Sequence, residues 1–144
     1  MAVEVYYWSD GLLDTGHAAM KVDGGIPPGT VYLSQYPGSM RSVFLAGPAW
    51  SNKYEDEVKA KGKPKVVRFT NLDETNIKKF IAAAHSVNMY SFLAFNCSTQ
   101  VKMCLDAGLT SSRTGQVALL LTQPGVVSPT WVYYYAKVLQ SRVG

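Results

Sequence analysis

The segment Asn96-Cys97-Ser98-Thr99, with the residues from Gln100 to Leu109 behind it, does most to restrict what this chain can fold into. Val101, Cys104, Leu105 and Gly108 recur at i, i+3, i+4 and i+7, which predicts a short amphipathic helix. Asn96, Ser98 and Thr99 are cap-type residues, so the helix is expected to begin within a residue or two of Cys97. Gly108 reads as its stop, because glycine enters the left-handed conformation at no steric cost. A helix N-terminus carries roughly half a positive charge and several unpaired N–H groups. Such a position lowers a thiol pKa from about 8.5 to about 3.5–7.5 when a histidine assists. The same N–H groups, that of Cys97 first, are placed to bind an oxyanion. The plain alternative is that Cys97 is a small buried hydrophobe, since free cysteine is among the most buried residue types. Cys104, in mid-helix among apolar neighbours, reads as core. The two make a poor disulfide pair, because seven helical residues rise about 10 Å and a bridge needs alpha carbons within about 7 Å.

A cysteine nucleophile needs a base, and the chain has only two histidines. His17 follows a glycine and precedes Ala18 and Ala19, small residues that leave room for another group to approach. His85 closes a helical pattern, where a histidine commonly meets the last carbonyls. His17 is therefore the favoured partner of Cys97. Catalytic pairs of this kind meet in space and not in sequence. A histidine base also needs a polar group to fix its tautomer. Ser34 and Gln35 are the candidates, and they point to opposite faces of a strand, so one of them serves. Asp23 is a weaker third choice, and Asp10 and Asp14 read as turn residues.

The remaining elements follow from local pattern. Val3–Trp8, Thr15–Val22, Thr30–Tyr36 and Lys65–Thr70 read as strands. If the second and third pair, His17 falls near Ser34 and Gln35. Asn71 with Glu74 suggests a capping box before a helix with Ile77, Phe80, Ile81 and Ala84 on its apolar face. Ser128-Pro129 opens a last helix, with Trp131, Tyr134, Tyr135 and Val138 as its expected inner face. Val43–Ala46 and Val117–Leu121 are short apolar pieces of undetermined type. No repeat, linker or low-complexity tract divides the chain, so residues 1–144 are expected to form a single α+β domain: an antiparallel sheet of about four or more strands, packed against helices.

Composition narrows the function. At 47% hydrophobic and 17% charged, the 144 residues are those of a globular protein with a sizeable core. No apolar run approaches the ~18 residues of a membrane helix. The N-terminus lacks the pattern of a signal peptide, and neither zinc spacing nor an aromatic-basic nucleic-acid platform is present. The expectation is no cofactor, no metal, no nucleic acid and no stable membrane insertion. The net charge of +4 is mild. Lys53, Lys59, Lys61, Lys63, Lys65 and Arg68 are interspersed with Glu55, Asp56 and Glu57, which reads as a solvated mixed-charge segment.

Gly16-His17-Ala18-Ala19, Val31-Tyr32-Leu33-Ser34 with Tyr36-Pro37, and Asn96-Cys97-Ser98-Thr99 opening a helix that ends Ala107-Gly108 together form a set. It resembles the circularly permuted papain-like cysteine hydrolases of the NlpC/P60 superfamily, most of all the compact versions found as toxin domains of bacterial secretion-system effectors. The segment Gln123 to Thr130 is similar to that group too. The resemblance implies a papain-like fold, Cys97 as nucleophile, His17 as base and a polar residue on the next strand as orienter. Ser34 matches that residue best, with Gln35 the alternative. It implies a protease or amidase that cuts a peptide or isopeptide bond in a target-cell protein or in peptidoglycan. It further implies manufacture in a bacterial cytoplasm, secretion into a target cell, and a cognate inhibitor (immunity) protein over the active-site cleft of an otherwise monomeric domain. Relatives on the same fold act as lipid esterases or acyltransferases, for which Trp8, Phe44 or Trp50 would form an apolar entry. A non-catalytic binding module is the remaining alternative.

Overall fold

The computed structural model describes residues 2–9, 16–37, 46–51, 53–87, 89–91, 96–109 and 128–144. Strands β1 (Val3–Trp8) and β2 (His17–Val22) pair antiparallel with Trp8 opposite His17. β3 (Val31–Leu33) and β6 (Lys65–Phe69) flank them to complete an antiparallel sheet in the order β3-β2-β1-β6. A second sheet, β4-β5-β7, is built from Gln35–Pro37, Ala46–Ser51 and Met89–Ser91. The expected third strand is therefore two strands in two sheets. Its ladder with β2 ends at Leu33, and the chain changes sheets at Ser34.

Alternation along the strands sends side chains to two different layers. Val3, Val5, Ala18, Met20, Val22, Leu33, Val67 and Phe69 face the main core. There they meet α2 (Glu74–Val87), α3 (Cys97–Gly108) and α4 (Pro129–Val143) through Ile77, Ile81, Val101, Cys104, Leu105, Val132 and Leu139. Burial of each large apolar side chain here contributes about 1.5–3 kcal/mol. On the other face Tyr6, Trp8 and Ala19 pack with Tyr32 and with Tyr54 and Val58 of α1 (Tyr54–Lys61), a helix not foreseen from the sequence.

Several local expectations change. Helix α2 is capped by Asp73, whose Oδ1 accepts from the Asn76 N–H at 3.0 Å, while Asn71 is hydrogen-bonded to the Val143 carbonyl. Glu74 is turned outward to accept from the Gly24 N–H. Ser128 caps α4 as expected, accepting from the Trp131 N–H. The inner face of α4, however, is Val132, Tyr135, Ala136 and Leu139, and Tyr134 and Val138 are exposed. Both quartets satisfy a helical period, and packing against α3 and the sheet selects the one with Ala136 and Leu139. Gly108 stays helical, and a Cβ there would lie 2.8 Å from Ile77 Cδ1. Glycine at this place lets α2 approach α3 and does not form a left-handed stop. The readings made on Val43–Leu45, Val117–Leu121, Asp10 and Asp14 lie outside the described residues.

The loop from β2 to β3 is fastened to α2. Lys78, buried, donates its ammonium to the Pro27 and Gly29 carbonyls. Gly25 adopts a φ of +78°, and a Cβ on it would stand 2.6 Å from the Thr75 amide nitrogen. An L-residue in the left-handed region costs about 1–2 kcal/mol before any clash. Gly25→Ala is therefore expected to lose at least ~2 kcal/mol, read as a lower urea midpoint at unchanged slope. A loss under about 0.5 kcal/mol, the scale of a neutral surface change, would contradict this packing.

Candidate active site

Asn96 caps α3, its side chain accepting from the Thr99 N–H at 2.8 Å. That places Cys97 in the first turn, where its own N–H has no acceptor within the helix. His17 opens β2. The end of that strand and the start of α3 meet, and the His17 ring stands near enough to the Cys97 thiol to act on its ionisation. The Ala18 N–H and the Ser98 hydroxyl, 3.8 Å away, also approach the Cys97 sulfur. Cys97 keeps 9% of its surface exposed and Cys104 none, so only the former can meet a reagent without unfolding. Both are free thiols.

Of the two candidates for a third residue, Ser34 is the one on His17. Its Oγ lies 2.7 Å from His17 Nε2. Gln35 belongs to β4 in the second sheet, and its buried Oε1 has no hydrogen-bond partner among the described residues. Asp23 is engaged by Thr30 and Lys21, and His85 is exposed on α2; neither stands beside Cys97.

Beyond Ser34 stands a residue that the sequence reading passed over. Glu57 of α1 is fully buried. Its Oε1 accepts from the Ser34 hydroxyl and lies 3.4 Å from His17 Nε2, and its Oε2 accepts from the Tyr32 hydroxyl at 2.6 Å. Lys53–Arg68 is thus not uniformly solvated, because one of its carboxylates enters the site. Tyr54, Glu57 and Val58 sit at i, i+3 and i+4 on the inward stripe of α1, so a carboxylate on a helix's apolar line was the available signal.

The donors and acceptors fix the tautomer. Ionised Glu57 only accepts, so the single Ser34 proton goes to it. Ser34 Oγ must then accept from His17 Nε2–H, which leaves Nδ1 as the nitrogen that can exchange a proton with the thiol. Burial alone would lower the His17 pKa, but hydrogen bonds to Cys97 and Glu57 and the charge of both hold it up at about 9. Burial alone would raise the Cys97 thiol. The hydrogen bond and charge of His17, with the Ala18 N–H and the Ser98 hydroxyl, pull it below its ordinary value instead. Burial likewise opposes ionisation of Glu57, and hydrogen bonds from His17, Ser34 and Tyr32 override it. Cys104, by contrast, is pushed up by burial and by Asp106. The site favours a thiolate beside an imidazolium.

Among the described residues no group of histidine, cysteine, aspartate or glutamate could hold a metal ion, and no helix is long and apolar enough to cross a membrane. Trp8 is buried, its indole N–H donating to the Gly62 carbonyl, and the side chains of Phe44 and Trp50 lie outside the described residues. No family model, curated protein or solved structure matches the chain, so the chemistry rests on the geometry of the site itself.

Removing the Glu57 charge should weaken the ion pair without emptying the space. Glu57→Gln is expected to let the Cys97 pKa rise, moving the acid limb of its iodoacetamide alkylation to higher pH. At a pH on that limb the rate should drop roughly ten-fold, the equivalent of about one pKa unit. Peptide mapping should show Cys104 unmodified in both proteins. An unchanged Cys97 profile would remove Glu57 from the site.

Proposed function

We propose that this domain is a cysteine hydrolase that cleaves a peptide or isopeptide bond through a Cys97 thiolate. The observation that carries the reading is the line Cys97–His17–Ser34–Glu57, in which a thiol at a helix N-terminus interacts with an imidazole that is hydrogen-bonded through Ser34 to a buried carboxylate. A structural cysteine has no need of such partners, and Cys104 has none of them. The Cys97 sulfur attacks the carbonyl carbon, and the C–O π electrons move to oxygen. The Cys97 backbone N–H, free of intrahelical bonding, donates to that oxyanion. His17 gives its Nδ1 proton to the leaving amine as the C–N bond breaks and a thioester forms. It then takes a proton from water, whose oxygen attacks the thioester and releases the acid and the thiolate. Ser34 and Glu57 hold the imidazole in the Nε2–H tautomer and offset its positive charge throughout.

The biological setting follows from the resemblance to permuted NlpC/P60 effector domains. In that setting the protein is an antibacterial toxin, delivered into a target cell and held inactive in its producer by an inhibitor over the Cys97–His17 cleft. Two bounds on pH dependence come with the mechanism. The thiolate is lost as pH falls through the lowered Cys97 pKa, and the imidazolium acid is lost as pH rises through about 9. A bell-shaped kcat/KM with an alkaline limb near that value is the expected profile.

Expression in bacteria, directed in turn to the cytosol and the periplasm, tests the reading. The wild-type chain should arrest growth in one compartment, while Cys97→Ala and His17→Ala should not, since loss of the covalent path costs on the order of 10³-fold or more in rate. Cys97→Ala should keep its circular dichroism and unfolding midpoint. Toxicity of purified-soluble Cys97→Ala equal to wild type would sink the mechanism. Growth unaffected by the wild-type chain in both compartments would remove the toxin role.

A further inference from the structure

The positions of His17, Ser34 and Glu57 admit two arrangements of the same protons. In the first, His17 is an imidazolium, its Nε2–H donates to Ser34 Oγ, and the Ser34 hydroxyl donates to Glu57 Oε1. In the second, the Nε2 proton has moved to Ser34 Oγ and the former Ser34 proton to Glu57 Oε1. Imidazole and carboxyl are then both neutral, Ser34 donates to Nε2, and the protonated carboxyl donates to Ser34. No proton enters or leaves, so the balance is set by the proton affinities of His17 and Glu57. Burial favours the second arrangement, because a neutral pair has no charge to desolvate. That arrangement disarms the site, since a neutral imidazole no longer holds the Cys97 sulfur ionised.

Tyr32 acts against this collapse. Its hydroxyl donates to Glu57 Oε2 at 2.6 Å, on the oxygen that takes no part in the exchange. A hydrogen bond to an ionised acceptor is roughly twice as strong as one to a neutral acceptor, so this donor favours the carboxylate. Burial pushes Glu57 up, and hydrogen bonds from His17, Ser34 and Tyr32 bring it below its ordinary value. Of those three donors, Tyr32 is the one outside the proton exchange. The sheet and α1 hold it in place. Tyr32 lies opposite Lys21 in the β2–β3 ladder, and its ring centre is 6.1 Å from that of Tyr6 and 5.9 Å from that of Tyr54. The titratable groups around it are Tyr6 of β1, Lys21 of β2, and Lys53, Tyr54 and Glu55 at the start of α1. Lys21 is engaged by Glu4 and Asp23, and Lys53 and Glu55 are exposed. The groups that face Glu57 are His17 of β2 and Tyr32 and Ser34 of β3 and its end.

We propose that Tyr32 is a positioning residue of this site, whose hydroxyl keeps Glu57 ionised and so keeps every donor in the line pointing from His17 to Glu57. The inference rests on the cysteine-hydrolase reading and adds a residue to that same site.

Tyr32→Phe removes the hydroxyl and keeps the ring. Two measurements read the result: iodoacetamide alkylation of Cys97 against pH, and the nitrogen-15 shifts of the His17 ring, which separate protonated from bare nitrogens. In wild type near neutral pH both ring nitrogens should be protonated. In Tyr32→Phe the Nε2 signal should move toward the bare-nitrogen position. A less protonated imidazole raises the Cys97 pKa, so the acid limb of alkylation should move to higher pH. On that limb the rate should fall roughly ten-fold, the equivalent of about one pKa unit. Adding Tyr32→Phe to Glu57→Gln should change neither readout further, because Tyr32 acts through the carboxylate. A Tyr32→Phe protein with wild-type shifts and profile, or one whose effect is as large on the Glu57→Gln background, would overturn the proposal and leave the nucleophile intact. A wild-type Cys97 no more reactive than Cys104 would instead bring down the hydrolase reading and this inference with it.

Discussion

Glu57 carries a carboxylate to a place with no solvent exposure, and a bare charge there would cost several kcal/mol. What makes the position tolerable is that its oxygens accept from Tyr32, Ser34 and the His17 side. Tyr32 and Ser34 belong to β3 and its end and His17 to β2, so satisfying one charge fixes α1, β3 and β2 relative to one another. The consequence passes along the bonds. A negative group behind Ser34 keeps the imidazole protonated, and a protonated imidazole keeps the sulfur ionised. Burial opposes every one of these charged forms, so the arrangement holds only as a unit.

The main sheet and its helices serve that unit by bringing two element starts to one point. His17 is the first residue of β2 and Cys97 the first of α3. The apolar residues behind them, Ala18 and Met20 on one side and Val101 and Leu105 on the other, pack in one core. The site therefore sits on rigid elements, and only its polar fringe is made of loop. Gly108 has a part in this that its backbone conformation does not reveal. By lacking a side chain it lets Ile77 of α2 lie against the far end of α3.

How much could be read in advance followed from how local each signal was. Asn96 and the spacing from Val101 to Gly108 specify a helix by themselves, and Cys97 at its start followed. His17 near Ser34 required only that two neighbouring strands pair, which they do up to Leu33. The change of sheet at Ser34 was not legible, because β-propensity runs unbroken through Val31–Tyr36 and tertiary pairing decides where it is divided. The face of α4 was ambiguous for a similar reason, since two apolar quartets share one period. Glu57 was hidden most deeply. In sequence it is one of three adjacent acids among lysines, and only the fold separates it from Glu55 and Asp56, which remain exposed.

An NMR titration of the His17 ring, in the wild-type chain and in Cys97→Ser, measures the ion pair itself. With Cys97 present, His17 should hold its proton up to about pH 9, because the adjoining thiolate and Glu57 outweigh the cost of burial. With serine in its place the thiolate charge is gone, and the titration should fall by at least about one pKa unit, the effect of a lost neighbouring charge. A wild-type His17 that titrates near the ordinary value of about 6.5, or one indifferent to the exchange of sulfur for oxygen, would contradict a thiolate–imidazolium pair at this site.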